Sequence, residues 1–534
     1  MKEDVMKTKF FILVLTSLIG FSSALFAENL RMAYSSSPRS IDPFPYGGAS
    51  TAGYKEHVFE ALVAADDSPL LSTGWVWNSP TSLTVNLRRG IKFHNGEDFT
   101  ARDVVYSACR MMYRVDGKRN LLTSSMGPIS DVVEVDSHTV RFETKNPYPL
   151  WIQKMKFLSM LSASGGDLRP GPITYDPEGN CGIKSYPTRD DFENGNAAVG
   201  TGPFKHVSYS KTLAVLQRND AYWGEKSIWE GVEISSVSNS GARLAGLLAG
   251  DYDVIENPTT EDVKALEDNS SFAYTGKPAW RTMFVVLNVD PKGAPGVSAS
   301  DGSAPLSNLK VRKAMSLAIN REAITDRLFG GNATVANQYA PSYRAGAPEM
   351  PGLEYNPEKA KSLLSEAGYK DGFTLSFSTP SDRYPNGVRV AQALTQYWSR
   401  IGIKVELNSQ PWSVFAKARK AREMGAFFYG WGHPQGPAQM ISFAFATRNK
   451  DLGLGSSNYS NYSSEAFDAA ITSWAVETNP DKSNEHVASA MEAAMADLPG
   501  IPVYYTHSIW AHRSDLKING RQDERTHATM VSYK

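Results

Sequence analysis

Between residues 373 and 437 the spacing of apolar residues changes repeatedly. Phe373, Leu375 and Phe377 alternate with Thr374, Ser376 and Ser378, the period of a strand with one covered face. Val390, Leu394, Tyr397, Trp398 and Ile401 recur at helical spacing, and Gly402 follows where a helix end takes a positive φ. Ile403, Val405 and Leu407 alternate again, residues 412–424 read as a second helix, and residues 426–431 as a third, apolar strand. Strands alternating with helices predict an α/β protein with a parallel sheet. Ligands of open parallel sheets sit beyond the carboxyl ends of the strands. Here those ends bring Arg383, Tyr384, Trp412, Trp431 and His433 to one sheet edge, a recognition wall rather than a catalytic one. Each aromatic residue taken singly reads better as closing a core.

Earlier in the chain, residues 29–35 read as a strand, 54–64 as a helix and 75–87 as a hairpin. A strand, an Asn-Gly turn and a helix follow over residues 87–107. Thr100 and Asp103 have the spacing of a capping box, and Val104, Ala108, Met111 and Met112 form a buried stripe. His94 beside the turn has no second ligand at metal-binding spacing and reads as structural. Gly200 and Gly202 permit a tight turn before a strand at Phe204. Asn356 caps a helix that starts with Pro357 and buries Ala360, Leu363, Leu364 and Ala367. At the N-terminus, Lys7 and Lys9 precede an apolar run, residues 10–21, and then Ser22-Ser23-Ala24-Leu25-Phe26-Ala27. This is the order of a secretory signal, with cleavage expected after Ala27 and translation starting at Met1 or Met6. The run is shorter than the ~20 residues of a membrane span.

A chain of 534 residues exceeds one ordinary core, so two or more lobes are expected. A formal net charge of −1 gives no case for nucleic acid or an anionic membrane surface. Cys109 and Cys181 are the only cysteines. Export permits a disulfide, but sequence supplies no geometry for one, so their pairing is left open. The chain carries no nucleophile elbow, His-Glu-x-x-His, Cys-x-x-Cys, Walker A or dinucleotide fingerprint. The nine His are scattered, only His507 and His512 standing close together. No catalysis, metal or cofactor is expected. Residues 167–198 and 291–307, rich in Gly, Pro and small polar residues, read as long loops.

Residues 87–107 (LRRGIKFHNGEDFTARDVVYS) resemble the signature of the extracytoplasmic solute-binding proteins of ABC importers, in the family of oligopeptide-, dipeptide- and nickel-binding proteins. Five further stretches are similar, in family order: Gly200-Thr201-Gly202-Pro203-Phe204, Asn219-Asp220-Ala221-Tyr222-Trp223-Gly224, Leu248-Ala249-Gly250-Asp251-Tyr252-Asp253, residues 309–320 and residues 355–368. The resemblance implies a two-lobed periplasmic-binding-protein fold of the large, three-subdomain type II form. Lobe I would take residues 28–278 and 498–534, with a subdomain at about 76–190. Lobe II would take 279–497, with crossings near 280–288 and 499–505. It further implies a periplasmic monomer, after removal of residues 1–27, that closes on a peptide and docks on an inner-membrane permease and ATPase complex. A metal chelate such as a nickel complex, an opine or an oligosaccharide is the alternative solute.

In the dipeptide branch an Arg and a Tyr hold the peptide carboxylate, and Arg383 and Tyr384 stand at the matching place. A guanidinium suits a carboxylate through two parallel hydrogen bonds. Trp412 and Trp431 would form apolar walls. The family's Asp after the Gly-Trp strand is missing from Gly432-His433-Pro434-Gln435, so recognition of an α-amine is not expected. His433 is assigned a neutral polar contact. Gly48 and Ser50, with their neighbours, would offer backbone N–H groups.

Overall fold

The computed structural model describes residues 29–534 except positions 47, 116, 118, 119, 121, 127, 169–171, 345, 433, 434 and 451. The signal segment and His433 therefore lie outside the described residues.

The 373–437 stretch forms as its pattern predicts. Strands Thr374–Pro380, Lys404–Gln410 and Ala426–Trp431 alternate with helices Gly387–Arg400 and Trp412–Ala421. The first strand pairs in parallel with both others. Gly402 follows the first helix at φ +99°, a conformation that costs glycine little. The sheet itself is mixed: Ala426–Trp431 runs antiparallel to the long strand Phe272–Leu287, which in turn pairs antiparallel with Gly500–Arg513.

Those two long strands are the middle of a 12-stranded sheet. On one side, through Val254–Glu256, they reach Asn29–Tyr34, Gly231–Ser236, Leu213–Arg218 and Phe204–Tyr209. On the other they reach the 373–437 unit. The molecule is bilobed, and its cores divide the same way. One apolar cluster combines residues from Leu30 to Val254 with Trp510, Leu516, Ile518, Ala528, Met530 and Val531 from the C-terminal tail. Two others draw on residues from Met283 to Tyr504. A separate four-stranded sheet, Ser72–Ser79, Ser82–Leu87, Thr139–Thr144 and Ile129–Asp136, belongs to the first lobe and packs on the Ala101–Met112 helix.

Local features follow the sequence closely, with three differences. The capping box forms, Thr100 N donating to Asp103 Oδ2 at 2.8 Å, and Asn356 caps its helix by accepting from Lys359 N. His94 clasps the Gly-Thr-Gly turn: Gly200 N donates to Nδ1 (3.3 Å), so Nε2–H donates to Gly202 O (3.0 Å). A Cβ at Gly200 would lie 1.9 Å from Val58 O, so this turn admits only glycine. The first helix, however, spans Ala49–Val58 and not 54–64. Beyond it the chain is pinned in extended form by bridges from Ala61 to Ser159 and Val63 to Pro69. Buried apolar residues continue on that extended segment, which is why the pattern alone ran on. Residues 291–307 carry a two-residue strand, Val297–Ser298, on the sheet edge and a short 3₁₀ turn, Pro305–Ser307.

Cys109 and Cys181, whose pairing the sequence left open, form a disulfide with Cα atoms 6.2 Å apart. The bond ties the loop after residue 167 to the Ala101–Met112 helix across 72 residues, a proximity that only the folded lobe creates.

Candidate ligand-binding cleft

The ladder between the two long strands breaks between Pro278 and Thr282, with a second register shift between Met283 and Phe284. Trp280 and Arg281, freed from regular pairing, border a cavity of about 1050 Å³ between the lobes. The Ala49–Val58 helix enters it from the first lobe. Gly48 stands at that helix's N-cap position with φ +115°, no side-chain cap bond is made there, and Gly48, Ala49 and Ala52 line the cavity. The second lobe contributes Gly432, Gln435, Gln439 and Phe443. The C-terminal tail contributes Asp523, Glu524 and Arg525.

Side chains of the two lobes meet across the cleft. Lys154, on the short Trp151–Met155 helix of the first lobe, donates from Nζ to Gln435 Oε1 of the second at 2.7 Å. Its neighbour Leu150 packs on a second-lobe core. Arg344 lies 3.8 Å over the Trp280 ring, an arrangement that attracts a cation to the ring face.

Charge is distributed unevenly along the wall. Seven Lys or Arg side chains line it against two carboxylates, Asp523 and Glu524. Both carboxylates are already engaged: Glu524 with Arg281 (Nε to Oε1, 3.0 Å) and Asp523 with Arg521 (Nε to Oδ1, 2.9 Å). Arg525 is held by Glu56. Lys156 pairs with Asp67 at 2.6 Å. Lys55 and Lys154 are each 6% exposed, and among the described residues neither has a carboxylate partner. Burial pushes both ammonium groups down to about 8. Gln439, 4% exposed, leaves its Oε1 without a hydrogen-bond partner in the same wall.

Of the residues singled out in the sequence, Gly48 reaches the cavity. Ser50, two residues on, is buried, its Oγ 2.7 Å from Ser36 Oγ. The second-lobe set forms a different cluster. Arg383 is exposed and lies 5.1 Å over the Trp412 ring, whose backbone N donates to Asp382. Trp412 stacks on Phe415 and Tyr429. Tyr384 donates its hydroxyl to Gly430 O at 3.3 Å, and burial raises it to about 12. Trp431 packs on Phe443, one layer behind the wall. Arg383, Tyr384, Trp412 and Trp431 thus lie near one another but do not line this cavity. The cationic residues Lys55, Lys154 and Arg281 and the acceptor Gln439 were missed. Nothing in their local sequence separates them from solvated or capping residues.

Residues 68–451 match the family described as bacterial extracellular solute-binding proteins, family 5 Middle. Heme-binding protein A of Haemophilus influenzae is 27% identical over 92% of this chain and 85% of its own length. The dipeptide-binding protein of Escherichia coli is 26% identical over 85% of each chain. Among solved structures, HbpA2 from Haemophilus parasuis superposes with a TM-score of 0.77 at 24% identity, covering 95% of this chain and all of the other. No cluster of three or more His, Cys, Asp or Glu suited to a metal occurs among the described residues. With its bilobed fold, interlobe cavity and full-length relatives, the chain belongs to the family 5 extracellular solute-binding proteins, the non-catalytic receptors of ABC importers.

Proposed function

We propose that this receptor collects a short peptide or peptide-like solute in the periplasm and hands it to an inner-membrane permease and ATPase complex. The observation that carries the reading is the cavity itself. At about 1050 Å³ it stands at the upper end of the ~300–1,000 Å³ range of small-molecule sites, roomy for an ion and suited to several linked residues. The unpartnered Gln439 Oε1 is an acceptor for an amide N–H, a group every peptide supplies. The dipeptide-binding relative points the same way.

The two cores support lobes at 28–278 with 498–534 and at 279–497, with the break at residues 278–282 as the hinge of closure. Export would remove residues 1–27, and the mature protein would act as a monomer. Mass spectrometry of the protein purified from periplasm, under native conditions, tests the reading directly. A bound peptide mass is expected. A metal chelate, porphyrin, opine or oligosaccharide in its place rejects the peptide.

A further inference from the structure

We propose that the solute is acidic: it carries at least two carboxylates, received by the ammonium groups of Lys55 and Lys154. The proposal rests on the peptide reading above and narrows it.

Burying an ammonium without a counter-charge is costly, so buried lysines are ordinarily paired. Here two stand in one cavity wall, each 6% exposed and each bonded only to a neutral oxygen among the described residues: Pro43 O at 3.4 Å for Lys55, and Gln435 Oε1 at 2.7 Å for Lys154. A further cation nearby, Arg525, is neutralised by Glu56 and Asp523, and Arg281 by Glu524. The acids of the wall are therefore consumed, and its two buried ammonium groups are left for the guest. The N-terminus of the Ala49–Val58 helix, which carries no acidic residue in its first turn, adds its positive end at the same wall. Conversely, the wall offers no unpaired carboxylate for an α-ammonium, so a blocked amine should be tolerated.

The lysines come from different places, Lys55 from the helix just behind Gly48 and Lys154 from the helix that bridges to Gln435. A guest with carboxylates at two separate points meets both, which favours a peptide with an acidic side chain over a simple monocarboxylate. Depressed lysine basicity is the expected trace of such a site while it waits for its anion.

Calorimetry with matched probes tests the proposal: Ala-Glu against Ala-Gln, Glu-Glu against Gln-Gln, Ala-Glu-Ala against Ala-Gln-Ala, with glutarate and citrate as non-peptide carboxylates. Each acidic peptide should bind about 10-fold or more tightly than its amide twin. Lys55→Met and Lys154→Met should each erase that preference. Both keep side-chain volume and remove an unpaired buried charge, so both should raise the melting temperature of the ligand-free protein; a lysine kept for structure would lower it instead. Amide twins binding as well as acids overturn the acidic guest and leave the peptide reading intact. Glutarate or citrate binding with no peptide bound keeps the acidic guest and overturns the peptide. Silence of every probe overturns both, and an acid preference untouched in both variants removes the lysines from the site.

Discussion

Arg281 and Glu524 are joined side by side across the gap in the central ladder. Arg281 belongs to the interrupted stretch of one crossing strand, and Glu524 to the returning tail, where it holds φ +62°. Each side chain is about a quarter exposed, 24% and 26%, so the pair is neither a solvated surface bridge nor a fully buried one. It fixes the tail against the crossing at the break in the ladder. Glu524→Gln should cost about 1–3 kcal/mol in denaturant unfolding. A cycle with Arg281→Met should recover most of that loss, because removing both partners leaves no orphaned charge. Additive losses in the cycle would show that the two residues do not act on each other.

Three histidines make the first lobe acid-sensitive. His94 holds the Gly-Thr-Gly turn as a neutral ring, and burial lowers it to about 4. His57 stacks on His527 at 3.7 Å, accepts from Ala528 N, and both are pushed down by burial. The unfolded chain binds these protons near pH 6.5, before the folded one does, so stability is full above that pH and falls as pH drops below it. His94 alone should account for about 3 kcal/mol of loss by pH 4. Unfolding curves at pH 7.0, 5.5 and 4.5 measure the slope, and His94→Gln should flatten it. A stability that holds level across that range would contradict neutral, buried rings.

The disulfide should matter more than its place at a loop suggests. Closing 72 residues of chain restricts the unfolded state by about 4 kcal/mol in the chain-entropy treatment. Cys109→Ser with Cys181→Ser, or reduction, should lower stability by that order while leaving the distant second-lobe core intact. Equal midpoints for the oxidised and reduced protein would mean that the loop is held by packing alone.

The second lobe was legible because its information is local. Phe373, Leu375 and Phe377 sit in one core, and Val390, Leu394 and Trp398 cover them, all within thirty residues of each other. The central strands were harder. Phe272 pairs with Arg513, and no local period reports so distant a partner. The crossings expected near 280–288 and 499–505 came from family resemblance and not from pattern. The cleft was least legible. Lys55 and Lys154 look like solvated charges in any window, yet the fold buries both. The carboxyl-end argument found a real aromatic cluster around Trp412, but the cavity opens at the broken ladder instead.

Alkaline pH should separate the lysines from the histidines. Buried Lys55 and Lys154 stay charged below about 8, lose their protons above it, and in the unfolded chain do so only near 10.5. The unfolded state then binds more protons, so the ligand-free protein should gain stability as pH rises from 8 towards 10.5. Around Lys55 the charges of Arg525, Glu56 and Asp42 modulate this, whereas burial alone depresses Lys154. Affinity for Ala-Glu should move the opposite way and fall above pH 8, because only the ammonium form pairs with a carboxylate. Calorimetry at pH 7.0, 8.0 and 9.0 with Ala-Glu and Ala-Gln reads both. A fall of the same size for both peptides would place the titration elsewhere.

The sharpest comparison sets the residue found from the sequence against one found from the structure. Arg383 stands at the position that the dipeptide-binding resemblance assigns to the peptide carboxylate. If it serves there, Arg383→Ala should weaken an acidic probe by roughly 10- to 150-fold, the worth of one charged hydrogen bond in a closed cleft. Its observed place is exposed, over Trp412 and outside the cavity wall, where the rings of Trp412, Tyr429 and Phe415 already form a stack of their own. From there a loss of less than about twofold is expected, with Lys154→Met giving the larger effect. Measuring both variants against Ala-Glu and N-acetyl-Ala-Glu decides between the two sites, because the acetyl group also removes the amine that the wall has no free carboxylate to meet. Strong loss in Arg383→Ala with none in Lys154→Met would move the carboxylate site to the sheet edge. Loss on acetylation in the wild-type protein would require an acid that the cleft wall does not present.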